Sequence, residues 1–180
     1  MAHRTQDELE AALADVAQAP RDHGTLEMIV VRPAEDARAT PASAVCTVEG
    51  GVEGDGWARR GSRHTPDGSP NPDQQVAVTG ARWMRAIADD RTRWALAGDQ
   101  LVLDLDLSDD ALAAGDRLRV GEVEFEVTGH PHNGCAKYRD RFGDAALRVT
   151  ATPEGRRLHL RGIYPVSYTH LRAHETDSYL

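Results

Sequence analysis

Aromatic residues make up only 5% of the 180 residues, so any core must be built mostly from aliphatic side chains. There are two cysteines, Cys46 and Cys135, and no CxxC pair. That excludes a disulfide framework and points to a reducing, cytoplasmic setting. No stretch approaches the ~18 apolar residues of a membrane helix. Residues 1–20 are charged and Ala-rich rather than signal-like, so no membrane partner is expected. Basic residues are not in excess: the formal charge is −8, which argues against a nucleic-acid partner. The chain also lacks a Walker A run, a GxGxxG turn leading into a helix, a GxSxG elbow and EF-hand spacing.

What is present suits one domain of ordinary composition, 40% hydrophobic and 28% charged. Thr5-Gln6-Asp7-Glu8 has capping-box spacing and predicts an N-terminal helix within residues 1–20. Residues 21–163 then read as the folded domain. Strands are predicted over Leu26–Pro33, Ala44–Val48 and Gln74–Thr79, and a helix over Gly80–Trp94. Leu101, Leu103, Leu105 and Leu107 alternate with Val102, Asp104 and Asp106, the pattern of a half-buried strand with its aspartates in solvent. Gly115 to Val127 reads as a hairpin with Val123, Phe125 and Val127 on one face. Phe142–Val149 reads as a short helix and Arg157–Ile163 as a strand. At least six short strands with turn punctuation predict a mainly β, barrel-like domain with a few peripheral helices. Residues 164–180 hold three of the four tyrosines, contain no glycine and show no clear period. They resemble a translated sequencing-adaptor read. We therefore expect a non-native tail after a truncated domain, and seek no site residue there, His170 and His174 included.

Chemistry concentrates in Gly129-His130-Pro131-His132-Asn133-Gly134-Cys135-Ala136-Lys137-Tyr138-Arg139-Asp140-Arg141-Phe142. Cys135 lies in a turn after a strand, where Asn133-Gly134 disfavours burial and nearby cations favour the thiolate, the form that attacks electrophiles and binds metals. His132, if protonated, would help to stabilise that anion. Lys137, Arg139 and Arg141 alternate, so on a strand they share a face suited to a phosphate. Upstream, Gly50 to Gly56 forms a glycine-rich turn whose backbone N–H groups can cradle an anion, with Asp55 inside it. Arg59, Arg60, Arg63 and His64 follow in a loop. An acidic protein with such local basic pockets suits a small anionic ligand. Cys46, Trp83 and Trp94 read as core or rim residues.

Gly51-Val52-Glu53-Gly54-Asp55, Gly98-Asp99-Gln100-Leu101, Leu112-Ala113-Ala114-Gly115-Asp116-Arg117-Leu118-Arg119-Val120-Gly121 and His130-Pro131-His132-Asn133-Gly134-Cys135 together resemble the MOSC domain, found at the C-terminus of molybdenum cofactor sulfurase and in small bacterial stand-alone proteins. The resemblance runs from about Leu26 to Ile163. It implies a β-barrel-like fold, a molybdopterin-type molybdenum cofactor, and a cysteine that ligates molybdenum or handles sulfur. Carried onto this chain, it makes Cys135 the metal ligand and, with His132, the catalytic pair. Gly54, Asp55, Arg59, Lys137, Arg139 and Arg141 become the cofactor-binding set. The implied activity is oxidoreductase or sulfur-transfer chemistry on a small-molecule substrate, supported by an electron-donor or sulfur-donor protein. A non-catalytic module that binds or delivers the cofactor is the alternative.

Overall fold

The structure is a computed structural model; it describes residues 3–62, 64–169 and 171–174, the last four as backbone. Helix α1, Gln6–Val16, opens on the predicted capping box: the Thr5 side chain accepts from the Glu8 N–H and the Thr5 N–H donates to Glu8 Oε2. Its Leu9 is buried in a cluster with Trp83, Met84 and Val102.

The central sheet joins β1, Thr25–Ile29, to β5, Leu101–Asp104, and β5 to β4, Val78–Gly80. The β1–β5 pair is antiparallel, with a register shift between Leu26 and Met28, and the β4–β5 pair is parallel. Successive side chains of a strand point to opposite faces. Leu101 and Leu103 enter an aliphatic cluster shared with the other sheets, while Val102 enters the helix-side cluster. Both faces of β5 are therefore covered, and the expected half-buried strand is corrected. Asp106, read as solvent-facing, is buried, where it accepts the Ser108 N–H at 2.9 Å.

Two further sheets complete the frame. One orders β3, Gly51–Val52, β2, Ser43–Thr47, and β9, Leu171–His174; the other orders β6, Arg117–Val120, β7, Val123–Val127, and β8, Pro165–Ser167. The predicted hairpin is β6–β7, with Val123, Phe125 and Val127 all buried. Cys46 is buried as expected, and burial pushes its thiol up to about 12. Strands β8 and β9 lie in the stretch in which the sequence shows no strand period, paired to β7 and β2. His170 lies outside the described residues.

Among the described residues helix exceeds strand, so the mainly β expectation is corrected to mixed α/β. The strands are two to five residues long and fall into three small sheets, with no closed barrel among the described residues. Helices take ground that had been read as strand. Lys137, Arg139 and Arg141 lie in α3, Ala136–Phe142, which is followed by α4, Asp144–Ala151. Thr152 caps α5, Pro153–Arg157, by accepting the Gly155 N–H. Of the predicted strand 157–163, Ile163 makes an isolated bridge to Val78. The predicted helix 80–94 breaks into α2, Ala81–Ile87, and a 3-10 turn, Arg91–Ala97, which Asp90 caps. Among the described residues no helix is long and apolar enough to cross a membrane.

Candidate functional site

A hollow of about 290 Å³ opens between the segment after β1, the loop after β3, the turn before β5, the start of α3 and residues 161–164. Six cationic side chains line it: Arg32, Arg38, Arg60, Lys137, Arg141 and Arg161. Cys135, which is exposed, is on the same wall. Flat rings complete the lining, among them Trp57, Tyr138, Tyr164 and His132, the last two with centroids 4.1 Å apart.

Two buried carboxylates anchor this array from behind. Asp55 accepts the Arg32 Nε–H at 2.9 Å, the Arg32 Nη2–H at 3.0 Å, and the backbone N–H groups of Arg32 and Trp57 at 2.9 Å each. Burial opposes its charge, but these donors outweigh it and hold the carboxyl below its ordinary value. Asp99 accepts two bonds from Arg161 Nη1, at 2.9 and 2.8 Å. Burial pushes the Asp99 carboxyl up; Arg161 pulls it back, and Asp99 in turn raises Arg161, so the two hold one another as an ion pair. Arg161 also lies over the Tyr138 ring, 4.8 Å from its centroid. Burial pushes the Tyr138 hydroxyl up to about 12, so it stays neutral and accepts the Trp83 Nε1–H.

With two of six cations neutralised by these carboxylates, the hollow keeps an excess of four positive charges. Lys137 and Arg141 also approach Asp36, at 3.5 and 3.4 Å, but Asp36 is largely exposed and such pairs are weak in water. Among the described residues, the Arg38 Nε–H is buried without a partner. A buried donor left unpaired in a cationic hollow points to an anion that would take it.

The sequence-predicted residues divide. Cys135, His132, Lys137 and Arg141 come together on the hollow. Lys137 and Arg141 share a face because they stand four apart on a helix. Arg139 falls on another face, bonded to Asp140 at 3.1 Å, and does not line the hollow. Asp55 supports the wall through Arg32. Gly54, with φ +86, sits over Val31. Arg59 donates to the Pro33 carbonyl, and its neighbour Arg60 reaches the hollow instead. Arg63 lies outside the described residues; His64 rests near His130, with centroids 6.1 Å apart. Sequence reasoning gave no role to Arg32, Arg38, Arg161 or Tyr164. Asp99 appeared in the Gly98-Asp99 pair, which was signal enough to mark it but not to name its partner.

The protonated His132 of the sequence reading is corrected. Burial, with Arg161 and Arg32 close by, pushes the imidazole well below 6.5. Its Nε2 stands 3.5 Å from Asp99 Oδ1. The unfolded chain takes up a proton there that the folded chain refuses, so stability falls as pH drops below about 6.5. The slope approaches about 1.4 kcal/mol per pH unit, or about 2 kcal/mol by pH 5. Urea unfolding of wild type and His132→Gln across this window should show wild type losing about 2 kcal/mol more than the variant. Parallel losses would show that His132 is not the buried neutral group.

Among the described residues no group of three or more His, Cys, Asp or Glu stands ready to hold a metal ion. A metal at Cys135 would therefore need other ligands from a cofactor. No family model matches the sequence, and no curated protein matches it. Solved structures do match by fold. The YuaD protein from Bacillus subtilis aligns with TM-score 0.64 at 15% identity, over 86% of this chain and 93% of that one. YiiM from Geobacillus stearothermophilus aligns with TM-score 0.53 at 15% identity, over 87% and 74%, and YiiM from Escherichia coli with 0.51 at 17%, over 88% and 67%. Both are MOSC-domain proteins. Over most of its length, this chain has the fold of the MOSC-domain proteins.

Proposed function

We propose that the cationic hollow binds a molybdopterin-type cofactor, with Cys135 as its soft sulfur ligand, and that the chain serves oxidoreductase-type chemistry on a small molecule. The observation that carries this reading is the convergence of six cations and an exposed thiol on one hollow. The donor set fits the group. Arg38, Arg60, Lys137 and Arg141 supply charge for a phosphate, and arginine offers it paired N–H donors. Arg38 brings the unpartnered buried Nε–H. The rings of Trp57 and Tyr164 offer flat surfaces to a planar heterocycle. Cys135 offers the soft sulfur donor that such a metal prefers.

When bound, the cofactor supplies the redox chemistry at molybdenum; the protein supplies orientation and electrostatics. Arg32 and Arg161, pinned by Asp55 and Asp99, keep fixed positions and need no reorganisation when the anion arrives. A reductase of this kind needs an electron donor. The chain has no flavin or iron–sulfur motif, so that donor is a partner protein.

Expression in a host that makes the cofactor, followed by metal and pterin analysis, tests the reading. We expect about one molybdenum per chain, lost in Cys135→Ser, with pterin lost in Arg38→Ala/Lys137→Ala. Persulfide on Cys135 without metal would replace ligation by sulfur relay. Pterin held equally by Cys135→Ser would leave only a passive binding module.

A further inference from the structure

Behind the Cys135 segment lies a second hollow, of about 320 Å³, to which the reading above gives no role. His132 and Arg161 line both hollows. The stretch 131–134 is thus a partition with a cavity on either side. Cys135 stands on the front cavity; Asn133 and Gly134 stand on the rear one.

Three features bear on what the rear cavity can take, and the first of them points to a ligand. First, among the described residues, His132 and Arg161 each keep one buried nitrogen unpartnered, Nδ1 and Nε. The His132 side chain is 4% exposed, and its Nδ1 lies against Gly162, a rear-wall residue. Because Nε2 turns to the Asp99 carboxylate, Nε2 carries the proton and Nδ1 offers a lone pair. Arg161 Nε–H is a donor. Second, His159 on the rim keeps a left-handed backbone, φ 46, with its Nε2 tied to Asp109 Oδ1 at 2.8 Å. That conformation closes α5, where the Leu160 N–H donates to the Gly155 carbonyl at 2.9 Å, so the helix end fixes this part of the rim. Third, residues 129–134 make no backbone–backbone hydrogen bond among the described residues. Both nitrogens are covered in this structure, so binding requires the partition to shift and uncover them.

We propose that the rear hollow binds a small neutral organic molecule through an amide-type group, its N–H given to His132 Nδ1 and its carbonyl oxygen taking the Arg161 Nε–H. An acceptor and a donor on one wall ask for that complement. Charge does not select the ligand at the floor, because Arg161 is already paired with Asp99. Arg156, at the exposed rim, leaves room for an anionic competitor, which makes the amide the decisive feature. The role of this molecule as second reactant, facing the cofactor across the Cys135 segment, rests on the function proposed above; its binding does not.

Titration of the full chain with benzamide, followed by NMR of backbone amides, tests the proposal. We expect saturable shifts at Gly134, Thr150 and Gly162, with a dissociation constant on the order of 1 mM. Benzoate lacks the donor that Nδ1 needs, so it should bind about tenfold more weakly despite Arg156. Ala151→Trp, which fills the hollow from an exposed position at the end of α4, should abolish benzamide binding. Inorganic pyrophosphate should still shift Lys137 and Arg38 in that variant, which separates a rear defect from a front one. No saturable benzamide binding, benzoate binding as tightly as benzamide, or undiminished binding in a folded Ala151→Trp would each overturn the proposal.

Discussion

Replacing Asp99 with asparagine is expected to lower stability by about 3–5 kcal/mol, the cost of leaving a buried charge without its partner. Arg161 is 9% exposed and Asp99 1%. Asparagine offers one neutral oxygen where aspartate offers two charged ones, so the guanidinium would lose its counter-charge and one of its two strong bonds, keeping its donation to the Ala97 carbonyl and its place over Tyr138. It cannot escape by deprotonating, because arginine holds its proton under any ordinary condition. For a chain of this size the loss corresponds to a fall of roughly 6–20 °C in Tm. Urea or thermal unfolding reads it directly. Replacing the pair together, as Asp99→Leu/Arg161→Met, should recover most of the loss, since the cost comes from the orphaned charge and not from the missing bond. A single-variant loss below about 1 kcal/mol would mean that water already reaches this pair and that Arg161 is not held in a fixed back wall.

The same pair shows where the sequence was legible and where it was not. Signals carried by neighbouring residues came through. The Thr5 and Glu8 capping box opens α1, the alternating apolar face of Val123, Phe125 and Val127 makes β7, and Asn133-Gly134 leaves Cys135 exposed. The cationic hollow was legible only in part, because Arg32, Arg60, Arg141 and Arg161 come from four distant segments. No local pattern says that they meet.

Period was the second source of error. Lys137, Arg139 and Arg141 alternate, which reads as a strand, yet Tyr138 and Phe142 stand four apart and are both buried, which is a helix. The apolar spacing deserved more weight than the charged spacing, because burial decides the element and solvated cations do not. Leu158 and Leu160 alternate in the same misleading way. There the Thr152-Pro153 pair, a cap followed by a proline at the first helical position, was the sounder signal. The barrel expectation failed for a related reason: counting short strands does not reveal which of them share a sheet.

Gly162→Ala should be the other costly change, at about 3 kcal/mol or more. Gly162 has φ +108, a backbone conformation that an L side chain rarely adopts. A Cβ there would also stand 2.0 Å from the Val78 carbonyl oxygen. That oxygen accepts the Ile163 N–H at 2.9 Å, and the Val78 N–H donates back to Ile163 O at 2.9 Å, so the methyl group would force apart the bridge that ties residues 161–164 to β4. Arg161 and Tyr164 flank this bridge, and the same Cβ would press on His132 Nδ1 at 3.1 Å. One methyl group would therefore disturb the wall common to both hollows as well as the fold. Gly129→Ala is the matched control: its Cβ would meet Ala114 at an ordinary 3.6 Å, and its stability should stay within about 0.5 kcal/mol of wild type. Equal losses in the two variants would show that close packing at Gly162 does not hold this wall. A large loss at Gly162 alone, with pyrophosphate affinity weakened in the molecules that remain folded, is what the geometry predicts.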